Sequence, residues 1–290
     1  MSTPPYLDLP IGARHVALPT GRGDLAGLRL DADDPVGTVL LVPGWTGSKE
    51  DFLAVLEPLA RRGWTVVAYD QRGQYESPGP DEESAYSLAA FAQDLLEVAA
   101  GLGDVHVVGH SFGGLVSREA VLASGGAGLA SLTLLCSGPG PLPAGHRDKL
   151  GAMHAALPHV PLATIWDVKE AADREGGWVP PSEAVERFMR DRFVANNPYA
   201  LQAKTAILLD TPDRTDELAA LAAGGFPVGV VYGPDDDAWP LAVQDAVAAA
   251  VGTTPVVVAG TGHSPAADDP EAAAEALDAL LRGFVRRATG

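Results

Sequence analysis

Apolar residues occur along the chain in two rhythms. Short, nearly unbroken apolar runs cover residues 38–42, 64–69, 104–108, 129–136, 226–232 and 254–259. Runs of that length predict strands covered on both faces, as in a parallel sheet. Residues 14–18 and 25–30 alternate more weakly around Thr20-Gly21-Arg22-Gly23-Asp24 and predict an antiparallel hairpin. Between the runs the spacing turns helical. Positions 88, 91, 95 and 98 share one face of a helix over residues 87–100. Helices are also predicted over 115–123, 241–251 and 270–287, and over 49–62, with Ser48 as its N-cap and Gly63 as its stop.

Alternating strands and helices predict an α/β fold: a mostly parallel, doubly wound sheet of about eight strands. The alternation breaks once. After the sixth strand the pattern is only helical, over 147–157, 181–194, 198–209 and 214–221, with Pro and Gly between. That stretch is too long for a loop in an open sheet. Residues 138–210 read as a helical cap inserted over the strand ends, where such sheets bind ligands. Residues 1–137 and 211–290 then form the core.

With 290 residues and 47% hydrophobic positions, the chain has enough apolar surface for a substantial core. Its net charge of −18 excludes nucleic acid as an expected partner and disfavours anionic membranes. No apolar run approaches a membrane span, and residues 1–10 lack the pattern of a signal peptide, so a cytoplasmic location is expected. The single cysteine, Cys136, cannot form an internal disulfide and reads as a buried strand residue. No metal or cofactor motif is present, and none is expected to be needed.

The chemistry concentrates at Gly109-His110-Ser111-Phe112-Gly113-Gly114. This G-x-S-x-G lies between a predicted strand and a predicted helix. A sharp turn there strains the serine backbone and aims its hydroxyl away from the sheet, and a Cβ at 109 or 113 would collide with a neighbouring element. A serine hydroxyl needs a base, and the base needs an orienting acid. Among seven histidines, His263 stands out, because Gly260-Thr261-Gly262-His263-Ser264-Pro265 follows the last strand at the same sheet edge as Ser111. His110 adjoins the serine, but its side chain is expected to leave in another direction. The acid is one of Asp235, Asp236 and Asp237, just past the strand at 226–232. For a negatively charged oxygen, the N–H groups of Phe112 and of Trp45, in the loop after residues 38–42, are the candidate donors.

These segments resemble the α/β-hydrolase superfamily, and the likeness covers nearly the whole chain. The order serine, acid, histidine is the family's order, and residues 109–114 match its nucleophile elbow. Its acid loop commonly reads G-x-x-D with proline four residues on. Gly233-Pro234-Asp235-Asp236 with Pro240 fits that pattern and selects Asp236, with Asp235 in reserve. The family's oxyanion loop usually reads His-Gly-aromatic, whereas this chain has Pro43-Gly44-Trp45. Asp70-Gln71-Arg72-Gly73-Gln74-Tyr75-Glu76-Ser77 resembles a D-x-R-G-x-G-x-S loop, with Tyr75 in place of the second glycine, where it is expected to narrow the pocket.

The resemblance is to the lidded serine esterase, lipase and acyl-hydrolase branch. It implies acyl transfer to water by Ser111, His263 and Asp236, on a small, largely apolar ester. Trp166, Trp178, Phe188 and Phe193 of the cap, with Trp239, are the expected pocket walls. Thioester hydrolysis or C–C bond cleavage with the same triad are alternatives. From another class, a non-catalytic ligand-binding member of the fold is the remaining one.

Overall fold

The computed structural model describes residues 2–157 and 159–289. Eight strands form one sheet: β1 (Arg14–Leu18), β2 (Leu25–Leu30), β3 (Gly37–Val42), β4 (Trp64–Tyr69), β5 (Val105–His110), β6 (Leu129–Leu135), β7 (Val228–Tyr232) and β8 (Val256–Val257). Their order is β1-β2-β4-β3-β5-β6-β7-β8. Only β2 runs against the rest, pairing antiparallel with β1 and β4. The central strands are largely buried, and β4, β5 and β7 have every residue buried, whereas β8 at the sheet edge is partly exposed.

Helices α1 (Leu53–Arg61), α2 (Leu88–Ala100) and α3 (Phe112–Ser124) join the central strands. After β6 come α4 (Ala144–Ala156), α5 (Leu162–Glu175), α6 (Glu183–Val194), α7 (Pro198–Leu209) and α8 (Thr215–Ala223). Past β7 follow α9 (Leu241–Ala250), the short α10 (Pro265–Asp268) and α11 (Pro270–Thr289). Helix α1 packs with α11, while α2, α3, α8 and α9 pack in succession. Among the described residues, no helix is long and apolar enough to cross a membrane.

Several boundaries move for physical reasons. The strand expected at 226–232 starts at Val228, because Pro227 has no N–H for the ladder. The last strand shrinks to Val256–Val257 for the same reason at Pro255, and it lies on the sheet edge. The helix after the serine turn begins at Phe112 rather than residue 115, directly behind Ser111. Helix α5 was not expected from the pattern. It buries only Leu162 and Trp166, too few positions for a stripe. Its exposed face is instead laced by Lys169–Asp173 and Glu170–Arg174 pairs at i,i+4 spacing.

Helices α4 to α7 carry a second apolar cluster of Leu157, Leu162, Trp166, Val185, Met189, Phe193 and Leu201. Helix α7 belongs to both layers. Its Leu201 joins this cluster, while Ala200, Ala203 and Leu208 join the core of the sheet. Leu7 also packs on the second cluster, so the N-terminal segment is held between the two layers.

Candidate active site

Strand β5 ends at His110, and α3 starts at Phe112, leaving one residue for the reversal. Ser111 adopts φ 54° and ψ −121°, a strained conformation for a side-chain-bearing residue. The surroundings enforce it. The Ser111 N–H donates to the Leu135 carbonyl at 3.0 Å, and Ser137 Oγ donates to the Ser111 carbonyl at 2.8 Å. A Cβ on Gly113 would lie 2.2 Å from the Val42 carbonyl oxygen, and one on Gly109 2.5 Å from that of Gly113. Glycine at both positions is therefore what lets helix and strand approach closely enough to make the turn.

The turn brings three distant side chains into one line. His263 Nε2 lies 3.0 Å from Ser111 Oγ, and His263 Nδ1 lies 2.7 Å from Asp236 Oδ1. Asp236 is further fixed by the Ala238 N–H at 2.9 Å and the Gln244 amide at 2.8 Å. Burial works against its carboxylate, but the bonds and charge of His263, with those two donors, hold it below the usual carboxylate range. The acid is thus an acceptor, which makes Nδ1 the protonated nitrogen of neutral His263 and leaves Nε2 free to take a proton. Of the other two acids, Asp235 is exposed, and Asp237 stands on the rim of the cavity beside Ser111.

Two backbone N–H groups at the site, those of Trp45 and Phe112, have no hydrogen-bond partner among the described residues. The Trp45 loop lies directly on the serine, since a Cβ on Gly44 would sit 3.3 Å from Ser111 Cβ. Gln71 and Gln74 hold that loop by donating to the carbonyls of Pro43 and Gly44, at 2.8 and 2.9 Å. From α7, Thr205 Oγ1 accepts the Trp45 indole N–H at 3.0 Å. Gln71, Gln74 and Thr205 thus brace the Pro43-Gly44-Trp45 loop.

His110 contradicts its expected direction. Its Nε2–H donates to the His263 carbonyl at 2.7 Å, and the two rings lie 5.0 Å apart. Burial, with the neighbouring His263, pushes His110 down to about 3, so it stays neutral. A neutral donor thus holds the histidine loop through the His263 carbonyl. Its position next to the nucleophile was the only signal in the sequence. Cys136 lies one residue beyond β6, buried and at φ 47°. Its sulfur, an Asp236 oxygen and a His263 nitrogen lie within 4.8 Å of one another, the spacing of a metal site. Both His263 nitrogens are already engaged, and burial, with Asp236 nearby, holds the thiol protonated, well above its usual range. The set does not fit an ion in this arrangement.

A cavity of about 210 Å³ opens on Ser111 and His263. It is lined by Ser2, Thr46, Asp51, His146, Lys169 and Asp237 as well as by Leu142, Leu208 and Ala238. None of the five aromatics expected as its walls lines it. Trp166 and Phe193 are buried inside the cap cluster, 5.5 Å apart ring to ring. Phe188 packs edge-on against Tyr75, and Trp178 donates to Thr3. Trp239 is fully buried beside Gly138, its ring 6.3 Å from that of His263. Trp166 and Phe193 are taken up by the core of the second apolar cluster. Tyr75 does not narrow the cavity either. It holds φ 44°, a left-handed conformation that glycine adopts freely, and packs under the Lys49 ammonium at 4.8 Å.

The chain matches the model of the alpha/beta hydrolase family over residues 39–276. Among curated proteins it is similar to a putative carbamate hydrolase RutD of Variovorax paradoxus, 37% identical over 99 residues, which is 33% of this chain and 36% of the relative. It is also similar to a proline iminopeptidase of Lactobacillus delbrueckii, 34% identical over 84 residues, 27% of this chain and 29% of that protein. The chain thus matches only about a third of the length of these relatives. Among solved structures, a thermophilic esterase from Thermogutta terrifontis superposes with a TM-score of 0.73 at 23% identity, over 93% of this chain and 99% of that one.

Proposed function

The chain belongs to the alpha/beta hydrolase family, and from that premise we propose that it is a serine hydrolase that cleaves a carboxylic ester or closely related acyl bond through an acyl-enzyme. The observation that carries the reading is the line Ser111–His263–Asp236, at 3.0 and 2.7 Å. Ser111 Oγ attacks the acyl carbon as its proton passes to His263 Nε2. Asp236 holds the ring in the required tautomer and stabilises the imidazolium. The free N–H groups of Trp45 and Phe112 donate to the negative oxygen, each worth about 3 kcal/mol in the transition state. His263 then protonates the leaving group, and a water activated in the same way releases the acid.

Residues 138–210 serve in this reading as the cap. The 210 Å³ cavity, whose lining sets Leu142, Leu208 and Ala238 among polar side chains, supports a small, largely apolar substrate.

The test is turnover of short p-nitrophenyl esters, with carbamates and thioesters alongside, and labelling by a fluorophosphonate. Ser111→Ala is expected to abolish labelling and to lower kcat by roughly 10⁴-fold or more. Equal labelling of the variant would remove Ser111 as nucleophile. A wild type inert to every acyl substrate and to the probe would favour a binding role.

A further inference from the structure

Arg192 is a fully buried charge that the mechanism above leaves unused. It sits near the end of α6 with no exposed surface, and its guanidinium reaches from the second apolar cluster to Ser48 and Asp51, just past the Gly44–Gly47 segment. One nitrogen donates to Asp51 Oδ1 and, at 3.3 Å, to Ser48 Oγ. The other donates to the Ser2 carbonyl at 2.9 Å and approaches Met189 Sδ at 3.1 Å. The Phe188 ring covers it at 5.1 Å. The fork is bound along two directions, toward Asp51 and toward the Ser2 carbonyl.

What Arg192 grips matters more than the grip. Asp51 is itself buried, and its second oxygen accepts the Ser48 N–H at 3.3 Å. That same oxygen lies against Gly47, where a Cβ would come within 2.2 Å of it. Gly47 closes a tight turn by donating to the Gly44 carbonyl at 3.3 Å. Trp45 is the second residue of this turn. The turn is therefore braced at its far end by a carboxylate whose place is set from the cap.

We propose that Arg192 is a positioning residue for hydrolysis: acting through Asp51, it fixes the Gly44–Gly47 turn so that the Trp45 N–H points at the developing oxyanion. This rests on the acyl-transfer reading above. It also makes the cap part of the oxyanion apparatus, because the donor is correctly aimed only while α6 is seated.

The experiment compares wild type, Arg192→Gln and Arg192→Lys on one short ester, with active sites counted from the end-point of fluorophosphonate labelling. A displaced oxyanion donor acts on the transition state and not on ground-state binding. Arg192→Gln is expected to lower kcat per active site by roughly 10- to 100-fold with KM nearly unchanged. Arg192→Lys keeps a charge within reach of Asp51 and is expected to recover most of that loss.

Wild-type kcat per site in folded Arg192→Gln overturns the proposal. A loss that Arg192→Lys shares in full overturns it too, since packing rather than the charge on Asp51 would then be responsible. If Arg192→Gln does not fold because Asp51 is left buried alone, Arg192→Gln/Asp51→Asn removes the orphaned charge and carries the same measurement. Hydrogen exchange at the amides of residues 44–48 reads the proposal without turnover. Exchange about tenfold faster in Arg192→Gln is expected, and unchanged exchange overturns it, even if the wild type proves inert and the hydrolase reading itself fails.

Discussion

Lys204 shows how far a single residue can depart from its type. It lies on α7 with its amine wholly buried and without a hydrogen-bond partner among the described residues, over the rings of Phe91 and Phe112 at 5.3 and 5.7 Å. Burial pushes its pKa down to about 7, with Asp70 opposing. In the unfolded chain the group titrates near ~10.4. Between those values the unfolded state binds more protons, so the wild type gains stability as pH rises through that window. Lys204→Met removes the penalty. It is expected to stabilise the fold by on the order of 2 kcal/mol below pH ~7, with the gain fading toward pH ~10. Urea midpoints of both proteins at the two ends of that window check this, and an equal gain at both ends would show that Lys204 does not titrate as described. His110 makes the complementary point. Sequence reasoning turned it away from the site, yet its neutral ring carries the loop of His263.

At the scale of elements, the strands were legible because each is an apolar run with breakers at its ends. Helices with an apolar stripe were legible too. Helix α5 was not, because local charge pairs and two buried residues sustain it. The cap aromatics misled for a related reason: periodicity tells that a ring is buried but not against what. The N-terminal segment was read only as polar and proline-rich, and its task depends on contacts no local pattern encodes. Ser2 Oγ lies 2.7 Å from Ser264 Oγ, next to the active histidine, and Ser2 lines the cavity. Thr3 accepts from Trp178, and Leu7 packs on the cap cluster. Through Ser2 the segment reaches the cavity lining. Deleting residues 2–7 is expected to shift selectivity toward longer acyl chains, by about fourfold in kcat/KM for each methylene newly accommodated. The ratio of rates on p-nitrophenyl acetate and octanoate measures it, and an unchanged ratio would show that acyl length is limited elsewhere.

For the whole molecule, the dominant long-range property is its net charge of −18. A field of that sign slows the approach of anionic substrates and is screened as salt shortens the Debye length to about 10 Å at 0.1 M. With an anionic ester, kcat/KM is expected to rise as ionic strength goes from about 10 to about 300 mM, while a neutral ester of equal size changes little. Equal salt responses for both esters would mean that the local site, not the summed field, governs encounter.

The chain's own order of residues determined the sheet, the serine turn and the candidate trio. Backbone sterics and hydrophobic period are local, so a G-x-S-x-G between strand and helix, and a histidine loop after the last strand, can be recognised without coordinates. Only the folded arrangement decided that Asp236 faces the imidazole, that Gln71, Gln74 and Thr205 brace the Trp45 loop, and that Arg192 reaches Asp51 across 141 positions. Those are pairings between buried polar groups. Each must find a partner once water is excluded, and which partner it finds is set by how distant helices and loops come to rest on one another.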